Sequence, residues 1–219
     1  MIAAGSLLLV VPWAIVGAAA GWFVRWGSVR LARMEELVPG EKRWQVYGPP
    51  VLCALLLGVF AFELTSFTVL VVRSVFVLVL VQVIFFDFEH RLILDRVMFP
   101  SMVAAALVSL FRSPWWAGVA TGLAAGVLFL VIALAGSAIF KAEALGFGDV
   151  KLALFMGLLL GPIPTIQALF YGVVLAAVVS VGLIVRHRTM KQTIAYGPYL
   201  AAGALIVMFQ NSGLPLSSG

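Results

Sequence analysis

The sequence predicts an all-α, polytopic membrane protein with about eight transmembrane helices, on three observations. Hydrophobic residues make up 63% of the 219 residues and charged residues 11%, and the mean hydropathy is +1.16. That composition excludes a water-soluble domain, whose surface would need far more charge. The apolar residues gather in runs near the length of a bilayer crossing, with polar residues confined to short islands between them. Those runs consume most of the chain, so residues 1–219 are expected to form a single integral membrane domain with no soluble module.

The first run, Leu7 to Phe23, lacks a basic segment before it and therefore reads as a retained helix rather than a cleaved signal. Gly17 and Gly21 within it are spaced for close helix packing. A polar loop, 24–48, follows and precedes a second run from Val51 to about Leu64, with Pro49 and Pro50 just before it. The third run, Val69 to Phe86, carries Arg73 near its start, from where the side chain can snorkel to the nearer surface. After the polar island Asp87 to Arg96 comes a short fourth run, Val97 to Phe111, closed by an aromatic interface turn through Trp116. The fifth, Ala117 to Phe140, has Gly118, Gly122 and Gly126 at helix-packing spacing. A second island, Glu143 to Lys151, leads into the sixth run, Leu152 to Leu160, closed by Gly161 to Pro164. The seventh run is Ile166 to Val185 and the eighth Tyr199 to Phe209, with the basic loop Arg186 to Lys191 between them.

With the N-terminus outside, the loops after runs one, three, five and seven hold 12 of the 14 basic residues; only Arg73 and Arg112 fall on the other side. The positive-inside rule thus orients the chain and puts both polar islands at the cytoplasmic face. It also accounts for the net charge of +5 without nucleic acid. The single cysteine, Cys53, lies in an apolar run, so the chain can build neither an internal disulfide nor a cysteine zinc site. His90 and His187 read as interfacial or loop residues, each without a second histidine or cysteine nearby for a metal.

The two islands hold all three aspartates of the chain: Asp87, Asp95 and Asp149. A carboxylate where a membrane helix begins is costly to keep dry and needs a partner, a wet recess or a function. Asp149, behind Gly146 and Gly148, is the first suspect. Two such groups at one membrane face suit aspartyl-protease chemistry, in which one ionised carboxylate takes a proton from water and its protonated partner polarises the scissile carbonyl. Gly146 and Gly148 are expected to permit unusual backbone geometry and close approach of an extended substrate. Asp95 reads as the N-cap of the fourth helix. Lys151 reads as a surface anchor or as a group tuning Asp149, and Glu35, Glu36 and Glu41 as solvated loop acids. A different class, a small transporter using juxtamembrane aspartates, would instead place its carboxylates near the bilayer midplane.

Gly146-Phe147-Gly148-Asp149-Val150-Lys151 resembles the signature of the type IV prepilin peptidases, GxGD-type membrane aspartyl proteases. Asp87-Phe88-Glu89, with Asp95 eight residues after Asp87, is similar to the family's other catalytic segment, with Leu94 in the place of its usual proline. Ile194 to Gly203 resembles the start of its last helix. The resemblance covers about Trp44 to Met208. It implies that Asp87 and Asp149 are catalytic, with Gly146, Gly148, Lys151, Glu89 and Asp95 supporting them or contacting substrate. It further implies a bacterial inner-membrane enzyme of type IV pilus or type II secretion systems, which removes the basic leader of single-span prepilin-like or pseudopilin substrates. Many members carry a long first cytoplasmic loop with a four-cysteine zinc site and also methylate the new N-terminus with S-adenosylmethionine. Here the corresponding loop is short and free of cysteine, so the expectation is peptidase activity without metal or cofactor and with methyl transfer weak or missing.

Overall fold

The computed structural model describes residues 4–63, 66–140, 145–187 and 195–211. Within these, the chain is all-helical: α1 (Ala4–Met34), α2 (Arg43–Glu63), α3 (Phe67–His90), α4 (Asp95–Leu110), α5 (Ala117–Phe140), α6 (Phe147–Leu160), α7 (Pro162–His187) and α8 (Gly197–Gln210). Five of them, α1, α2, α3, α5 and α7, are long and apolar enough to cross a membrane. The 14 residues of α6 reach only about 21 Å, against a hydrocarbon core of about 30 Å.

Among the described residues the chain falls into two compact units: the first holds α1 to α3 and residues 209–211, the second runs from Leu92 to Met208. In the first, α1 crosses α2 through its glycines. A Cβ on Gly17 would lie 2.6 Å from the Cys53 carbonyl oxygen, and one on Gly21 would strike the Pro49–Pro50 backbone. The prolines expected ahead of the second helix therefore sit inside α2, buried, at a contact that needs the bare glycine face opposite. Arg73 does not simply reach for a surface: its Nη2 donates to the carbonyl oxygen of Asn211 at 2.9 Å. In the second unit, α6 is wrapped by α4, α5 and α7. Leu152, Phe155, Met156 and Leu159 are buried around it, as in a helix that is apolar on all sides. Gly122 and Gly157 meet face to face, a Cβ on the latter lying 2.5 Å from the former's Cα.

One boundary differs widely from expectation. The stretch 24–48 is mostly helical, because α1 continues to Met34 and α2 begins at Arg43, leaving residues 35–42 as the connection. Hydropathy marks where lipid ends, not where helical hydrogen bonding ends. Beyond that point Arg30 lies 5.5 Å over the Trp26 ring one turn earlier, and Trp26 stacks on Phe23. The start of α2 is fixed by Gln45, whose side-chain oxygen accepts from the Lys42 N–H at 2.9 Å, one half of a capping box, while its own N–H donates to the Lys42 backbone carbonyl.

Candidate active site

In the first unit, α3 ends in a left-handed residue: Arg91, at φ 54°, donates its N–H to the Asp87 carbonyl at 2.8 Å. Asp87 is thus in the last helical turn rather than in a loop, and it is 5% exposed. Two residues on, the side chain of Glu89 is only 6% exposed. Its carboxylate accepts from Arg25 of α1 at 3.2 Å and from the Gly40 backbone N–H, and lies 3.3 Å from His90 Nε2. Arg25 also donates to the Gly40 carbonyl. His90 is the last residue of α3, with its ring 4.7 Å from that of Phe86. The dipole at this helix end gives carboxylates no support, so both acids depend on their surroundings.

Asp149 of the second unit has the opposite placement. Gly146 is the N-cap of α6, and Asp149, in the first turn, donates its N–H to the Gly146 carbonyl at 3.1 Å. The side chain is 9% exposed, at the helix end whose dipole favours a negative charge. Lys151, two residues on and on roughly the opposite side of the helix, donates to the Asp95 carboxylate and lies 5.3 Å over the Phe99 ring. Asp95 is accordingly not the cap of α4: Leu94 holds that position and Asp95 is the first helical residue, with its side chain turned to Lys151. Leu94 at φ −74° has a backbone angle that a proline would also adopt.

The two glycines work differently from the expectation that they reach geometries closed to other residues. Gly146 is extended, at φ −73°, and Gly148 is helical; among the described glycines only Gly161 has a positive φ. Gly148 is small because Ile93 packs on it, a Cβ there lying 2.8 Å from the Ile93 Cβ. Gly146 is open, with Asp149 Oδ2 as its nearest neighbour at 3.6 Å from a built Cβ.

Lys151 and Asp95 are therefore brought together, and Glu89 is tied to α1, while Asp87 and Asp149 belong to different units. Glu143, Lys141, Arg188 and Lys191 lie outside the described residues, as do the side chains of Arg186 and His187. Among the described residues no three His, Cys, Asp or Glu side chains cluster as a metal site would require. Three participants escape the sequence reading. Arg25 and Gly40 do because nothing local announces their link to Glu89, and Tyr196, in the turn before α8, because it reads only as part of a helix start. Burial first, and the Asp149 carboxylate second, push the Tyr196 phenol above its ordinary value, which keeps it protonated near that carboxylate.

Residues 74–181 match the model of the type IV leader peptidase family. The chain is also 32% identical over 136 residues, 60% of its length, to a prepilin leader peptidase/N-methyltransferase of Bacillus subtilis (strain 168). It spans about half the length of that relative, the match covering 52% of it. No solved structure matches.

Proposed function

The chain belongs to the type IV leader peptidase family, and on that premise we propose that it is a membrane-embedded aspartic endopeptidase of the GxGD type, with Asp87 and Asp149 as its catalytic pair. The observation that carries the reading is the buried Asp149 in the first turn of α6, behind Gly146 and Gly148, inside the segment that matches the family. In this mechanism Asp149, whose helix end favours charge, takes a proton from the attacking water. Asp87, at a helix end that does not favour charge, holds a proton and donates a hydrogen bond to the scissile carbonyl. The tetrahedral intermediate collapses when Asp149 passes the proton it took from water to the departing amine as the C–N bond breaks, which returns Asp149 to its ionised form with Asp87 still protonated. Gly146 leaves room for an extended peptide beside the carboxylate, and Lys151, Asp95 and Glu89 hold the segments around the two acids.

The substrates in this reading are single-span prepilin-like proteins with a short basic leader, cut at the cytoplasmic face of the bacterial inner membrane. Orientation rests on the bias of basic residues. Methyl transfer is absent or weak, and no metal or cofactor takes part in cleavage. Both carboxylates lie at helix ends rather than mid-helix, which favours a protease over the transporter alternative. Co-expression with single-span proteins bearing a basic leader tests the proposal. Leader removal seen as a gel shift, and lost with Asp149→Asn, is the expected result. Intact leaders across a panel of such proteins, with the enzyme present in the membrane, would refute it.

A further inference from the structure

We propose that Arg25 and Glu89 form a clamp on the Gly40 peptide that fixes the 35–42 connection to the last turn of α3, and that Glu89 is thereby a positioning residue for Asp87. The three residues form a closed ring in which each bonds the other two: Arg25 to Glu89, Glu89 to the Gly40 N–H, and the Gly40 carbonyl to Arg25. Both charged side chains are buried, Arg25 at 9% and Glu89 at 6% exposure. A buried pair left without one partner is strongly destabilising, so such an arrangement holds its geometry or fails outright.

Its place in the fold gives it a target. The last turn of a helix leaves carbonyls without intrahelical partners and frays readily. In α3 that turn contains Asp87, closed behind it by one bond from the Arg91 N–H. Glu89 lies within the same turn and is anchored to a different helix and to a loop. The next rung of the α1–α3 contact is polar too, Ser28 donating to Gln82 Oε1 at 2.8 Å, so the seam from Gln82 to Glu89 is pinned at both ends. The loop side is equally constrained, because a side chain on Gly40 would strike Gln45, the residue that caps α2. Glu89 touches neither water nor substrate in this scheme. It sets the orientation of the turn from which Asp87 projects.

The catalytic half of the inference rests on the peptidase reading; the clamp itself does not. Residue-resolved amide hydrogen exchange on the full chain in lipid nanodiscs reads the clamp through the Gly40 and Arg91 N–H groups, and cleavage kinetics read its consequence. With Glu89→Ala, both amides should exchange at least about tenfold faster, and kcat should fall about a hundredfold with KM little changed, as expected for a misplaced catalytic group. Glu89→Gln keeps an acceptor for the Gly40 N–H and should recover part of kcat and of the protection; it also serves where the alanine variant fails to fold. Unchanged exchange at Gly40 in Glu89→Ala overturns the clamp, as does full parental protection at both Gly40 and Arg91 in Glu89→Gln, which removes the charge that pairs Arg25. Faster exchange with kcat intact overturns the positioning role. Cleavage that survives Asp87→Asn would sink the peptidase assignment instead, leaving Gly40 exchange as the separate measure of the clamp.

Discussion

The ammonium of Lys151 donates to the carboxylate of Asp95, fifty-six residues earlier, and joins the start of α6 to the start of α4. Each candidate catalytic aspartate is thus followed two positions later by a residue engaged in an ion pair: Asp87 by Glu89 and Asp149 by Lys151. The pairs differ in kind. Asp95 is about half exposed, so its pair is screened and contributes at most about 1 kcal/mol, unlike the buried Arg25–Glu89 pair. Asp95→Asn should lower stability by about that much at low salt and by less at high salt, with cleavage reduced only several-fold. Thermal unfolding in two salt concentrations, beside a cleavage assay, checks this. A loss of cleavage as complete as for Asp87 would mean that Asp95 is itself catalytic.

Asp87→Asn and Asp149→Asn should each abolish cleavage, by at least about a thousandfold, while the protein still accumulates in the membrane. Either substitution removes a proton donor or acceptor that its partner cannot supply. Cleavage assays on membranes normalised by immunoblot decide the matter, and near-normal processing by either variant rules out the pair.

The two glycines separate packing from access. Gly148→Ala sets a methyl group 2.8 Å from the Ile93 Cβ and should cost about 1–3 kcal/mol by overpacking, relieved in part by Ile93→Val. Gly146→Ala meets Asp149 Oδ2 at 3.6 Å and the Gly148 nitrogen at 4.0 Å, both ordinary contacts, so the fold should keep its stability while cleavage drops. Equal activity for Gly146→Ala and the parent would show that substrate does not approach there.

Some of this organisation is legible in the sequence because it is local. α5 runs from Ala117 to Phe140 as expected, since an aromatic turn bounds its apolar run on one side and a lysine on the other. Asp149 stands out because a carboxylate behind two glycines and before an apolar run is unusual in a membrane protein. α6 begins five residues before its apolar run because Gly148, read as a loop residue, is a packing residue under Ile93. α1 runs on to Met34 because aromatic and arginine side chains sustain the helix where hydropathy has already fallen. Arg25 with Glu89, and Asp95 with Lys151, are contacts across more than fifty residues, which no periodicity encodes.

Cleavage should be unchanged by chelators, because two carboxylates and a water suffice for it. The new N-terminus should carry no methyl group in stoichiometric amount. The eight residues 35–42, clipped to α3 through Gly40, give little wall for a cofactor pocket of about 300 Å³ or more. Mass spectrometry of the cleaved substrate checks both points. A full gain of one methyl group that depends on this protein would show that the second activity persists without a longer loop.

Tyr196 should make both stability and cleavage depend on pH. Its raised value in the folded protein, from burial and from Asp149, means that folding favours the protonated phenol. That contribution to stability is complete below the unfolded value of about 10 and is lost as pH rises through the folded one. Tyr196→Phe should therefore flatten the decline in thermal stability above about pH 10 without altering it at neutral pH. In the proposed mechanism, a neutral phenol that turned its O–H to the Asp149 carboxylate would favour the ionised form that serves as the base. The phenylalanine variant should accordingly shift the acidic limb of the pH–rate profile to higher pH and leave the plateau rate within about threefold. An acidic limb that does not move would place the phenol outside hydrogen-bonding reach of Asp149 during the reaction and confine Tyr196 to the packing of the turn before α8.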